Sequence, residues 1–308
     1  MVDSHDVKNA ISGVLVVDKP VGMTSHDVVQ AIRNGTGLRR AGHTGTLDPR
    51  ASGVLVILVG PAVRLSEYVS ASDKRYQAII RLGSTTDTFD AEGRFTRQDQ
   101  PINVTEAQFE EVLKTFVGEI EQVPPPYSAV KVQGRKAYEL ARQGEDVELA
   151  PRKITVHHLE VLEWAPPEVV VDVHCSSGTY VRSLANDLGE KLGTGAYLVG
   201  LRRTKSGRFT LRDAVPLRKL QESFHAGNWY QYLIPAAEAL GDWPAIELSP
   251  DEVEGIRHGH RVQAAPDAQS GMVRGVSTQG ELVALLELVN GEDAAPAWQP
   301  RKVFFTSE

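Results

Sequence analysis

The chain has 308 residues, 41% of them hydrophobic and 24% charged, a composition that supports packed cores and excludes wholesale disorder. At roughly 150 residues per domain, the length suggests two domains or one large domain with an appendage. The net charge of −7, taken as a sum, argues against a nucleic-acid binder, and one cysteine excludes an internal disulfide or a Cys-Cys zinc knuckle.

The opening MVDSHDVKNA has no basic-then-apolar leader pattern and is read as a disordered start, residues 1–10. No apolar run approaches the ~18 residues of a membrane span, so the expected location is the cytoplasm. GVLVVDKP (13–20) reads as a buried strand stopped by proline. Thr24 with Asp27 three residues on predicts a capped helix through about Arg33. GVLVILVG (53–60) is a second buried strand, followed by a short helix near 62–69. In RYQAIIRL (75–82), Tyr76, Ala78, Ile80 and Leu82 alternate onto one face, the period of a strand. Thr105 and Gln108 predict another capped helix, through about Phe116. VPPPYSAVKVQGRK (123–136) is a loop, and a short helix follows over 136–144. Strands are expected near 153–163 and 168–175, then a helix over 180–193 with Val181, Leu184, Ala185, Leu188 and Leu192 as its apolar stripe. Further strands are expected near 196–203 and 207–211. After Trp243-Pro244, Ser249 caps a helix that has Pro250 in its first turn and Gly259 beyond its end, and strands near 272–276, 282–289 and 302–306 complete a small unit. Strands and helices without steady alternation predict an α+β fold with a mixed, mostly antiparallel sheet.

The charge sum hides its distribution. Seven bases face only Asp213 over 202–219, four face only Asp48 over 33–50, and four face only Glu139 over 131–142. From Glu247 onward there are five bases and ten acids. Local basic segments on an acidic chain form either one anion-binding surface or ordinary solvated faces.

The densest chemical signal is GHTGTLDPRASG (42–53), where Asp48 precedes a proline on a glycine-bearing loop that runs into a buried strand. It reads as an Asx-turn residue or as a carboxylate held accurately within reach of a ligand. Tyr76 reads as core or as a platform for a flat base. Arg182 sits in the first turn of its helix, where a cation opposes the helix dipole, so it is either solvated or held by an anion. Cys175 alternates with Val169, Val171 and Val173 into the core. The histidine pairs 157–158 and 258/260 lack a third clustered ligand, and no glycine-rich cofactor fingerprint occurs, so neither metal nor cofactor is expected.

Six ordered blocks together resemble the bacterial tRNA pseudouridine-55 synthases, the TruB-type pseudouridine synthase family. They are GVLVVDKPVGMTSHDVV (13–29), GHTGTLDPRASGVLVILVG (42–60), KRYQAIIRLGSTTDTFDAEG (74–93), VPPPYSAVKVQGRKAYELARQG (123–144), CSSGTYVRSLANDLGEKLG (175–193) and LRRTKSGRF (201–209). The resemblance implies a catalytic domain over 11–243, with a mobile RNA-binding thumb at about 123–150, and a small β-rich PUA-like domain over 244–308. It implies that Asp48 is the catalytic aspartate and that Tyr76 stacks on the target uracil and accepts a proton. By the same resemblance, Arg182 pairs with the aspartate and His43 fills the space left by the flipped base. Tyr180 and Leu201 then line the uracil pocket, while Lys19 and Lys131 support the site and the RNA. The implied substrate is the T-arm stem-loop of tRNA, handled by a monomer without a guide RNA, an obligate protein partner or a cofactor. A second reading from the same segments is a tRNA-folding chaperone whose modification activity is secondary.

Overall fold

The computed structural model describes residues 11–128, 130–132, 134–137, 140, 143, 149–289 and 295–304. The expected disordered start and part of the expected thumb with its short helix lie outside the described residues. Contacts divide the chain into two units, Met1–Pro49 with Val54–Ser70 and Arg208–Glu308, and Arg50–Gly53 with Ala71–Gly207.

The longer strands, in chain order, are β1 (Gly13–Lys19), β2 (Ala41–His43), β3 (Ala51–Val59), β4 (Lys74–Leu82), β5 (Gly118–Gln122), β6 (Arg152–Ala165), β7 (Glu168–Cys175) and β8 (Ala196–Ser206). Those of the C-terminal segment are β9 (Ala245–Leu248), β10 (Val262–Gln263), β11 (Met272–Ser277), β12 (Leu282–Val289) and β13 (Ala297–Val303). The helices are α1 (Ser25–Thr36), α2 (Ser66–Ser70), α3 (Glu106–Lys114), α4 (Val181–Leu192), α5 (Leu217–Ala226) and α6 (Pro250–Arg257).

In the first unit, β1 pairs in parallel with Val215–Pro216 and antiparallel with Ile234–Pro235, while β2 pairs antiparallel with β3. The continuous apolar runs of β1 and β3 are buried on both faces. Val14, Val16, Val54, Val56 and Leu58 share one core with Leu65, Leu240, Leu285 and Phe304. Helix α1 starts where the sequence predicts, because Thr24 Oγ1 accepts from Asp27 N (3.0 Å) and Asp27 Oδ2 accepts from Thr24 N (2.8 Å). Each such cap stabilises its helix by about 1 kcal/mol. Helix α1 ends later than expected, at Thr36, where Gly37 takes the left-handed conformation (φ 72°).

The C-terminal residues of this unit form a five-stranded sheet in the order β9-β11-β12-β13-β10. Its inner face packs Leu248, Ile256, Val273, Leu286 and Trp298 together. Arg274 fastens it to the preceding segment by donating to the carbonyls of Trp243 (3.0 Å), Ala237 (2.8 Å) and Gly241 (3.3 Å). The last strand runs over Ala297–Val303 rather than 302–306. Its start at Ala297-Trp298 was hidden because polar Gln299, Pro300 and Arg301 interrupt the apolar pattern.

In the second unit the strand order is β3-β8-β4-β7-β6-β5, with the first residues of β3 at one edge. Leu201, Arg202 and Arg203 of β8 run parallel to Ala51, Ser52 and Gly53, and the other pairs are antiparallel. Strand β4 buries Lys74, Tyr76, Ala78, Ile80 and Leu82 and turns Arg75 and Gln77 outward, as the alternation predicts. Helix α4 packs on β8 and β4, and α3 packs on β6, with Phe109 against Trp164 at 5.3 Å between ring centroids. The strand expected at 196–203 continues to Ser206 and is followed by only Phe209–Thr210. Two bulges, between Leu198 and Gly200 and between Arg203 and Lys205, break its periodicity and concealed its length. Among the described residues, no helix is long and apolar enough to cross a membrane.

Candidate functional site

In the first unit the loop 44–49 is held on both sides of Asp48. Leu47 N donates to Ser25 Oγ (2.8 Å), and that hydroxyl donates back to Leu47 O (3.0 Å). Pro49 O accepts from Gly22 N (2.8 Å) and from Lys19 Nζ (3.4 Å). Thr44 N donates to Val56 O (3.1 Å), tying the start of the loop to β3. Asp48 is thus the half-buried residue between two pinned neighbours, on a loop fixed to the first turn of α1 and to the end of β1. A side chain so placed keeps its position without losing access to a ligand.

Lys19 is fully buried and donates to the carbonyls of Pro20 (2.9 Å) and Met23 (2.6 Å) as well as to Pro49. Its ammonium braces the loop. His43 lies on β2, opposite Ile57 of β3. Ser25 is the residue that sequence reading missed: it looks like an ordinary first-turn serine, and only its buried position against Leu47 shows its use.

In the second unit, Tyr76 is 8% exposed and sits in register with Val173 of β7 and Arg203 of β8. Leu201 stands opposite Ala78 of β4 and Ala51 of β3. Gly53 has φ +98°, and a Cβ on it would lie 2.2 Å from Arg203 O, so only glycine lets these backbones meet. Tyr180 is the N-cap of α4 and is clamped by buried Gln122, which accepts from Tyr180 N (2.8 Å) and donates to Tyr180 O (3.0 Å).

Arg182 is held rather than solvated, at 9% exposure. Its guanidinium donates to Asp90 Oδ2 (3.2 Å), Thr88 O (3.4 Å) and Tyr127 O (3.1 Å). Asp90 is itself fixed, its Oδ1 accepting from Thr88 Oγ1 (2.6 Å) and Glu92 N (3.0 Å). The dipole conflict at the start of α4 is therefore met by a carboxylate and two carbonyls. Asp90 was not legible in advance: it lies 92 positions from its partner, in a turn rich in acidic residues. Lys131 pairs with Lys136 in a two-residue hairpin.

Basic residues of the 202–219 segment are partly consumed within the fold. Arg203 is buried, Arg208 pairs with Glu238, and Arg218 pairs with Glu222. Cys175 is fully buried, and burial pushes its thiol up to about 11. His158, His258 and His260 are exposed, and no group of three or more His, Cys, Asp or Glu side chains among the described residues is placed to hold a metal ion.

Three family models cover the chain from residue 33 onward. A TruB family pseudouridylate synthase N-terminal domain matches residues 33–181. A tRNA pseudouridylate synthase B C-terminal domain matches 182–240, and a tRNA pseudouridine synthase II C-terminal domain matches 243–305. The tRNA pseudouridine synthase B of Thermobifida fusca is 44% identical over 301 residues, covering 95% of this chain and 98% of that protein. That of Pseudomonas fluorescens is 41% identical over 300 residues, covering 96% and 98%. Among solved structures, a chain of a Cbf5-Nop10-Gar1 complex superposes with a TM-score of 0.75 at 29% identity, covering 95% of this chain and 85% of the other. A chain of an H/ACA RNP bound to a substrate RNA containing 2′-deoxyuridine gives 0.72 at 27% identity, again covering 95% and 85%.

Proposed function

The chain belongs to the TruB family of pseudouridylate synthases, and on that premise we propose that it isomerises uridine to pseudouridine at position 55 in the T-loop of tRNA. In this reading residues 11–243 carry the chemistry and 244–308 form a small PUA-like domain. The enzyme works as a cytoplasmic monomer without a guide RNA.

The observation that carries the reading is the clamp on Asp48, a carboxylate presented between two pinned residues. The reaction breaks the N1–C1′ bond, turns the uracil and rejoins it through C5. A stacked uridine hides C1′, so the base is first flipped out, at a cost of a few kcal/mol. Stacking on Tyr76 returns about 1–3 kcal/mol of that. Asp48 then acts on the sugar, by attack at C1′ or by removing the proton that starts elimination to a glycal. Both routes begin from an ionised carboxylate.

After reattachment Tyr76 accepts the C5 proton. Tyr180 and Leu201 line the uracil pocket, and His43 fills the gap left in the loop. Lys19 braces the catalytic loop, and Lys131 with the 123–150 thumb closes on the stem. An isomerisation has no net redox change or group transfer, so no cofactor enters.

The test uses the full chain and an unmodified tRNA transcript, followed by carbodiimide mapping and nucleoside mass spectrometry. Pseudouridine at position 55, absent from a transcript carrying cytidine there, is the expected result. A transcript left unmodified, or modified elsewhere, overturns the reading.

A further inference from the structure

Strand β4 presents Lys74 and Tyr76 on its buried face. Residues directly opposite in an antiparallel pair share that face, with Cβ atoms about 4.5–5.5 Å apart. Tyr76 is opposite Arg203, and Lys74 is opposite Ser206 and Cys175. Arg203 is 2% exposed and is among the largest fully buried side chains of the protein. Burial, and after it the charge of Arg203, brings the Lys74 ammonium down to about 8.

A cation buried on this face is costly unless the groups around it compensate its charge. Valine or leucine fills such positions elsewhere on the same face, as at Val171, Val173 and Leu82. The elements packed on β4 are β7, β8 and α4. Their charged and titratable groups on the Tyr76 side are Arg203, Cys175, Arg182 and Asp187, joined by Lys74 on β4 and Asp73 just before it. Arg75, Asp172, His174, Arg202 and Lys205 belong to the alternate set of register positions, on the opposite face. Of the two cross-strand neighbours of Tyr76, Val173 and Arg203, one is therefore a buried cation.

We infer that Arg203 is a positioning residue for Tyr76, its positive charge holding the phenol poised to take the C5 proton of the rejoined uracil. The inference rests on the function proposed above. In the step concerned, the C5–H bond breaks, its electron pair closes the C5=C6 double bond, and the N1=C6 pair of the rejoined uracil returns to N1, which takes a proton from solvent. The proton forms the O–H bond of Tyr76 and passes on to solvent. A nearby cation favours the phenolate that accepts it.

The test reads Tyr76 directly. Its titration is followed by ultraviolet difference spectroscopy, each protein being compared with its Tyr76→Phe counterpart. Arg203→Met is expected to raise the Tyr76 midpoint by about one unit, and Arg203→Lys to restore most of it. On a T-arm stem-loop deuterated at C5 of the target uridine, Arg203→Met should slow single turnover by about tenfold, the factor in phenolate population that one unit represents. The C5 isotope effect should grow, with RNA affinity kept.

An unmoved midpoint, or equal slowing with an unchanged isotope effect, overturns the inference. Should Arg203→Met not fold, Arg203→Gln decides: without the positive charge it should raise the Tyr76 midpoint by about one unit, and an unmoved midpoint overturns the inference. Wild-type protein that leaves uridine 55 unmodified refutes the proposed function instead. Active wild type with an unmoved Tyr76 midpoint refutes only the role of Arg203.

Discussion

Replacing Asp90 by asparagine removes a carboxylate that holds Arg182 while keeping the shape of the side chain. The two side chains are 10% and 15% exposed, and the N–O distance is 3.2 Å. At an effective dielectric of about 20, a pair at such a distance is worth about 5 kcal/mol. Removing one partner of a buried pair costs about 3–5 kcal/mol where the other charge is left uncompensated. The amide oxygen of the asparagine would still accept from Thr88 Oγ1 and Glu92 N, and Arg182 would still reach the carbonyls of Thr88 and Tyr127. Those retained bonds put the expected loss at the lower end, about 3 kcal/mol. The assay is denaturant unfolding of the full chain with Asp90→Asn, Arg182→Gln and the double variant. The double should lose little more than Arg182→Gln alone, a coupling of about 2 kcal/mol or more. A loss below about 1 kcal/mol for Asp90→Asn, or additive losses, would refute the argument that this carboxylate compensates a buried cation.

Other outcomes follow from single contacts. Ser25→Ala leaves Leu47 N and O without their shared partner, and should cost about 1–3 kcal/mol of stability. It should also lower turnover on tRNA while leaving the dissociation constant near that of wild type, as measured by filter binding. Gly189→Ala would favour an isolated helix by about 1 kcal/mol. Here its Cβ would lie 2.1 Å from Ala196 N, so the overpacking cost of about 1–3 kcal/mol wins and the unfolding midpoint falls. Cys175, buried and with its thiol pushed up to about 11, should resist alkylation at pH 8 in the native protein and react once unfolded.

Local rules were legible because their partners are close in sequence. The capping boxes at Thr24–Asp27, Thr105–Gln108 and Ser249–Glu252 all form, three residues apart. The alternation of β4 carries over directly into burial, since a period of two has only one core face. Strand β6 was found within two residues at either end, although only Ile154 and Val156 of it are buried.

The hidden features are non-local or irregular. Helix α5 went unread because LRKLQESFHA follows a proline with no side-chain cap. Strand β9 is four residues long and gains its partner only in β11. Arg203 reads as one base in a basic run, and nothing local says that its backbone meets Gly53 and its side chain faces inward. The net charge misled for the same reason, since a sum cannot separate cations that face solvent from those the fold buries or pairs.

The central claim is that Asp48 carries the chemistry, and one comparison tests it most directly. Wild-type protein and Asp48→Asn are incubated with the same tRNA transcript, and pseudouridine at position 55 is measured by nucleoside mass spectrometry alongside tRNA binding. The near-isosteric amide keeps the loop and its Leu47 and Pro49 anchors, so binding should persist while pseudouridine formation is abolished. Pseudouridine made by Asp48→Asn at the wild-type rate would contradict the account.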